Sequence, residues 1–189
     1  MKKLLIASAV TAGFLGSAAV QADTSAIFDN WQDRAYVVGK LGTADLGLDD
    51  NAMTVTGVAG LHTPSIHPAL SFEADLTLSL TDAESSLPSS MGSTTIEASA
   101  FSMGAYAVAS YDQFPVENLT PFARLGLAYS SVDVTAANSV VSVSGETSEF
   151  GIGFTGGVRY TFSDQLSAVA DYTSVSEIDV LNIGVQYDF

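Results

Sequence analysis

The last nine residues alternate strictly: Leu181, Ile183, Val185, Tyr187 and Phe189 are apolar, and Asn182, Gly184, Gln186 and Asp188 between them are small or polar. A period of two with one wholly apolar face predicts a strand that meets lipid on one side and a polar interior on the other. The pattern recurs upstream, most cleanly where Leu70, Phe72, Ala74, Leu76, Leu78 and Leu80 oppose Ser71, Glu73, Asp75, Thr77 and Ser79. Strands of this kind are predicted at 34–43, 53–62, 70–80, 96–111, 122–132, 150–162, 166–173 and 181–189.

The phase of each strand assigns its inner residues. Thr54, Thr56 and Gly60 face inward on the second strand, Arg124 and Gly126 on the fifth, Arg159 on the sixth and Asp171 on the seventh. The fourth strand is rich in small residues on both faces; Phe101, Met103 and Tyr111 are assigned outward. Gly151 to Gly157 reads as a strand whose small inward residues make room for bulky neighbours, not as a phosphate cradle, because no Lys follows it and no helix opens there.

After the N-terminal region no segment approaches the ~20 consecutive apolar residues of a spanning helix. Lipid offers no partner for an open strand edge, so strands that cross it must close on themselves. The fold expected is all-β: an eight-stranded antiparallel up-and-down transmembrane β-barrel over residues 34–189. Ser163-Asp164-Gln165 is a tight turn, whereas 82–95 and 133–149 are long and polar. Short periplasmic turns paired with longer external loops are the habit of outer-membrane barrels. The proline-bearing junctions 62–68 and 112–121 would be the other periplasmic connections. Tyr111, Phe114, Phe122, Tyr160, Phe162, Tyr187 and Phe189 gather at that end and read as an interfacial aromatic girdle.

Residues 1–22 carry Lys2 and Lys3, an apolar run from Leu4 to Val20 and the small-residue ending Val-Gln-Ala, the layout of a cleaved signal peptide. Export to the bacterial outer membrane follows, with 23–33 as a short periplasmic lead-in. The formal charge is −15, and loss of the two signal lysines leaves only Arg34, Lys40, Arg124 and Arg159 against 21 acids. Nucleic acid and other polyanions are thereby disfavoured as partners. Cysteine is absent, which excludes a disulfide framework. The acids dominate the connectors, where they solvate exposed loops; divalent cations bridging them to lipopolysaccharide phosphates are a weaker reading, since no spacing resembles a calcium loop.

The runs PFARLGLAY, GFTGGVRYTFSDQLSAVADYT and LNIGVQYDF, with AYVVGKLG and SFEA upstream, resemble the transmembrane domain of outer-membrane protein A and its small relatives, including barrels of the outer-membrane protein X and Ail type. The resemblance implies that Lys40, Glu73, Arg124 and Asp171 point into the lumen, where the alternation independently puts them. The family commonly has an acid at the position of Arg159 and a base at that of Val169, so the internal ion pairing here must be rewired. The resemblance also implies that Tyr187 and Phe189 form a signal read by the barrel-assembly machinery. No peptidoglycan-binding domain is expected.

An eight-stranded barrel is only just wide enough for its side chains to fill it. Lys40, Arg124 and Arg159 are therefore expected to neutralise Glu73, Asp75 and Asp171 inside, as a satisfied polar core in preference to an ion path. His62 and His67 are the only imidazoles and are read as solvated turn residues; no catalytic, cofactor or metal site is expected. Outside, Ser131 to Thr135 and Val140 to Ser144 flank Ala136 to Ser139, so the fifth and sixth strands are expected to continue as a protruding hairpin. Val132, Val134, Val141 and Val143 mark it as a candidate surface for strand addition. The function expected is non-enzymatic, in envelope structure and surface interaction of the adhesion type, by a monomer in contact with outer-membrane lipid, lipopolysaccharide and a host or surface protein. A narrow low-conductance pore is the alternative, and a lipid-modifying enzyme ranks third.

Overall fold

A computed structural model describes residues 31–89, 92–137, 142–176 and 178–189. The signal-peptide assignment and most of the lead-in, together with Val141 and the expected turn residues Asn138 and Ser139, lie outside the described residues. A 3-10 turn at Trp31–Arg34 precedes nine strand segments: β1 (Ala35–Asp45), β2 (Ala52–His62), β3 (Leu70–Ser79), β4 (Ala83–Ser89), β5 (Gly92–Ser110), β6 (Leu119–Ala137), β7 (Ser142–Ser163), β8 (Leu166–Val175) and β9 (Ile178–Asp188).

All ladders are antiparallel, and the order β3-β2-β1-β9-β8-β7-β6-β5-β4 is closed by pairing of β3 with β5. Segment β4 prolongs the stave begun by β3: β3 occupies β5 from Ala109 up to Phe101, and β4 takes over from Ala98 to Gly92. Eight staves therefore form a closed barrel, and within it no strand edge is left facing lipid. The first and last strands meet from Tyr36↔Asp188 to Asp45↔Asp179.

The alternation sorts side chains as expected. Leu127 and Ile183 are 64 % and 68 % exposed on the outside, whereas their neighbours Ala128 and Asn182 are buried inside. Thr54, Thr56, Glu73, Arg124 and Asp171 are all interior, and Phe101 and Met103 lie on the outward face of β5, out of phase with buried Tyr106 and Val108. The turn at 164–165 and the connections 63–69 and 111–118 all lie at the end that carries Ala35 and Phe189. On the outer surface of β7, Phe150 and Phe162 bracket the belt; about 12 residues at roughly 3.3 Å each, tilted by about 40°, span ~30 Å, close to a hydrocarbon core.

Three expectations are corrected. Phe122 is not part of the girdle: it lies two residues before Arg124, shares its phase and is buried in an inner layer with Tyr36, Val38, Val58, Val108 and Val169. Residues 82–95 are not one long loop, because β4 and β5 pair there as a hairpin. The hairpin of β6 and β7 turns later than its sequence suggests: Ala136↔Val143 and Ala137↔Ser142 are ladder pairs, so both alanines belong to β6.

The small inward residues have a clear packing role at Gly60 and Gly153. A Cβ on Gly60 would fall 2.1 Å from Tyr36 Cζ, and one on Gly153 would fall 2.7 Å from the Tyr106 ring, so each glycine is the space an interior tyrosine occupies. Gly60→Val should expel Tyr36 and cost about 1 to 3 kcal/mol by overpacking. An unchanged urea midpoint of the lipid-reconstituted barrel would show that the ring has somewhere else to go.

Candidate functional site

Two ion clusters fill the barrel interior. Arg124, 1 % exposed, donates from Nη1 to Glu73 Oε2 at 2.8 Å and from Nη2 to Asp75 Oδ2. Its guanidinium also lies 4.2 Å from the centre of the Tyr106 ring, within cation-π range. Tyr36 Oη donates to the other Glu73 oxygen at 2.7 Å, so one carboxylate joins β1, β3 and β6. In the second cluster Lys40 Nζ donates to Asp171 Oδ2 at 2.7 Å, and Asn182 Nδ2 and Thr173 Oγ1 donate to Asp171 Oδ1 at 3.0 and 3.3 Å. Charges taken out of water at this depth are tolerated because each is paired, and the Glu73 and Asp171 carboxylates accept further hydrogen bonds from Tyr36, Asn182 and Thr173.

The two clusters face one small cavity of about 10 Å³, lined among others by Lys40, Asp75, Tyr106, Thr173 and Asn182. That is room for about one water. Beneath it the apolar layer around Tyr36 and Phe122 closes the lumen toward the periplasmic end.

Arg159 departs from the pairing expected of it. It points inward, but its guanidinium lies 6.0 Å and 5.6 Å from the Tyr36 and Phe122 ring centres, and among the described residues the salt bridges to Glu73, Asp75 and Asp171 come from Lys40 and Arg124 alone. The register explains the difference: Arg159 sits directly opposite Val169, at the level of the apolar layer and below the carboxylates. Tyr36 and Tyr106 are interior residues that the strand reading did not single out. Tyr36 was findable, since it shares the phase of Lys40; Tyr106 lies in a stretch of Ala, Gly and Ser that is small on both faces.

His62 is not a free turn histidine. It ends β2, with Nδ1 3.0 Å from Ser71 Oγ, Nε2 3.0 Å from Asp188 Oδ1 and its ring 4.6 Å from that of Tyr36. Asp188 also accepts from Gln186 Nε2. The histidine thus ties β2 and β3 to the final strand. Ser71 is only 5 % exposed. His67 lies apart in the turn, where its Nδ1 accepts from the Ala69 N–H. No group of three or more metal-ligating side chains occurs among the described residues.

At the other end the barrel wall rises beyond the lipid belt. Phe101, Tyr129 and Phe150 line up across β5, β6 and β7, with ring centres 6.4 and 5.0 Å apart, and mark the upper boundary of that belt on these strands. Above them β4, β5, β6 and β7 continue as a four-stranded sheet. Val132, Val134 and Val143 fall on its inner face by the alternation, and Val143 is 64 % exposed. Tyr187 and Phe189 sit at the opposite end of the molecule, on the outer surface, with ring centres 5.2 Å apart.

A closed antiparallel barrel with an apolar outer belt, aromatic residues at both rims and charges paired within is an integral outer-membrane β-barrel protein. The family model for the outer membrane protein beta-barrel domain matches residues 8–189, and the chain belongs to that family. No curated protein matches the sequence. Among solved structures, Neisserial surface protein A is similar at TM-score 0.55 and 18% identity, covering 82% of this chain and 97% of its own. The N-terminal barrel of Pseudomonas aeruginosa OprF is similar at TM-score 0.55 and 14% identity, covering 84% and 98%. Ail, the attachment invasion locus protein of Yersinia pestis, solved in complex with the heparin analogue sucrose octasulfate, is similar at TM-score 0.50 and 13% identity, covering 82% and 97%. At these identities the likeness is one of fold.

Proposed function

We propose that this chain is a non-enzymatic surface protein whose extramembrane sheet binds a partner outside the cell, with the barrel as its anchor. The observation that carries the reading is the continuation of β6 to Ala137 and of β7 from Ser142, well beyond the aromatic row at Phe101, Tyr129 and Phe150. A wall that only had to cross lipid would need about 9 to 11 residues per strand; β6 and β7 have 19 and 22. The attachment role printed for the Ail neighbour supports the same direction. Its sulfated-sugar ligand does not transfer, because every Lys and Arg of the described chain lies inside the barrel or at the periplasmic end.

The lumen argues against a pore. Arg124, Glu73, Asp75, Lys40 and Asp171 are packed and hydrogen-bonded, and the cavity between them holds about one water. Residues 1–22 act as an export signal in this reading, and Tyr187 and Phe189 serve assembly as well as the girdle.

Deleting 136–143 should abolish attachment of cells bearing the protein to a host-cell or surface layer while leaving the heat-shifted gel mobility of a folded barrel intact. Retained attachment would remove the sheet from the function. In a planar bilayer the refolded wild-type barrel should be electrically silent; reproducible small openings would promote the pore instead and make Arg124 and Glu73 its gate.

A further inference from the structure

We infer that the free edge of β7 is a docking site for an extended cationic polypeptide segment, which adds to the extramembrane sheet as a further strand. The inference rests on the surface-interaction reading above and names the chemistry of its partner. Two independent features of the sheet lead to it, one from the backbone and one from charge.

The backbone feature is an unpaired edge. Segment β7 is bonded to β6 from Ser142 to Tyr160, but its ladder with β8 begins only at Gly153↔Val175. From Ser142 to Ile152 the β8 side has no ladder partner among the described residues. Side chains from Ser142 to Phe150 are exposed on both faces, so among the described residues nothing folds over that edge. A strand presenting a row of free N–H and C=O groups is a template for another extended backbone.

The charge feature decides which backbone. Glu84↔Glu97 and Asp133↔Glu146 are directly opposed ladder pairs, and alternation puts all four carboxylates on the face continuous with the lipid-facing surface. Ser131 Oγ donates to Glu146 Oε1 at 3.0 Å, but among the described residues none of the four is in a salt bridge. Like charges directly across a ladder destabilise it. Among the described residues no Lys, Arg or His lies at this end of the molecule; their cations are Arg34, Lys40, Arg124 and Arg159, with His62 and His67 at the opposite end. A second copy of this chain would bring the same acids to the edge and be repelled. Anionic lipid headgroups and sulfated sugars are repelled likewise. A strand with Lys or Arg at alternate positions satisfies the edge and answers Glu146 on β7, with Asp133 one strand behind it, while Glu97 and Glu84, two and three strands further from the edge, add to the negative field of the sheet.

The test uses the mature chain in phosphatidylcholine nanodiscs and a fluorescent eight-residue Lys-Val repeat as probe, with Glu-Val and Lys-Pro repeats as comparisons. The Lys-Val peptide should bind at least about tenfold more tightly than either, weaken as salt is raised, and slow amide exchange within 142–152. Glu146→Lys should cut the affinity about tenfold or more while relieving the Asp133 opposition, so that the hairpin exchanges no faster than wild type. Equal binding of the Lys-Pro peptide, which cannot form a ladder, would overturn strand addition, as would binding without protection of 142–152. If no peptide binds although the 136–143 deletion still abolishes attachment, the acids merely guard the edge and this inference falls while the proposed function stands.

Discussion

Arg124→Ala should lower the stability of the barrel by about 3 to 5 kcal/mol, read as a fall in the urea midpoint of the lipid-reconstituted protein. The size follows from what the guanidinium holds. It donates to Glu73 and to Asp75 and covers Tyr106, so its loss leaves two interior carboxylates without a cation and a ring without its cap. Breaking one side of a dry ion pair costs more than the pair contributes, because the remaining charge stays buried. The triple variant Arg124→Met, Glu73→Gln, Asp75→Asn removes charge from both sides and should recover much of the loss. A single variant as stable as wild type would mean that water reaches the lumen freely.

The second large effect is at Asp171, where replacement by Ala strands Lys40, with a similar expected loss of about 3 to 5 kcal/mol. Its combination with Arg124→Ala should be less damaging than the two losses added. Lys40 and Asp75 line the same 10 Å³ cavity, so a lysine released from Asp171 can turn toward the aspartate that Arg124 has abandoned. Residues sharing partners commonly couple by about 0.5 to 3 kcal/mol. The double-mutant cycle is read from unfolding midpoints. Strict additivity would separate the clusters and make the cavity a wall between them.

Both effects concern residues whose placement is legible in the sequence. Glu73, Asp75, Arg124 and Asp171 stand in strands where lipid enforces an apolar residue at every second position, so the remaining positions must look inward. Lys40 joins them through the same phase in β1. What failed to show was pairing, which depends on the height of each residue along its own stave. Arg159 shares the inner surface with the carboxylates, yet it meets Val169, Tyr36 and Phe122 at a lower level. The aromatic character of Phe122 suggests the girdle, although its even phase with Arg124 points inside. Tyr106 was hidden among Ala and Gly, where the two faces of β5 differ too little to reveal a phase.

Outside the membrane the alternation loses its cause. Segment β4, with the run ESSLPS, reads as loop because no lipid demands an apolar face, and it becomes a strand only through its ladder to β5. The alternation does not locate the end of the β6 and β7 ladder for the same reason, since valines there fall on a solvated sheet. The prolines beside His62 suggest a solvated turn, whereas its bond to Asp188 brings together residues far apart in the chain.

The seam between β1 and β9 bears on how the molecule comes into being. Its ladder joins Tyr36 to Asp188, so the contact that completes the wall is among the most distant in the chain and needs both of its ends. Until then two long edges remain open, and a half-built wall has no tolerable resting place in hydrocarbon. Synthesis can end well before folding begins, and the polypeptide must cross the periplasm extended and unaggregated. A chain dense in acids, Ser and Gly, with its apolar residues dispersed one by one along the strands, is suited to that transit.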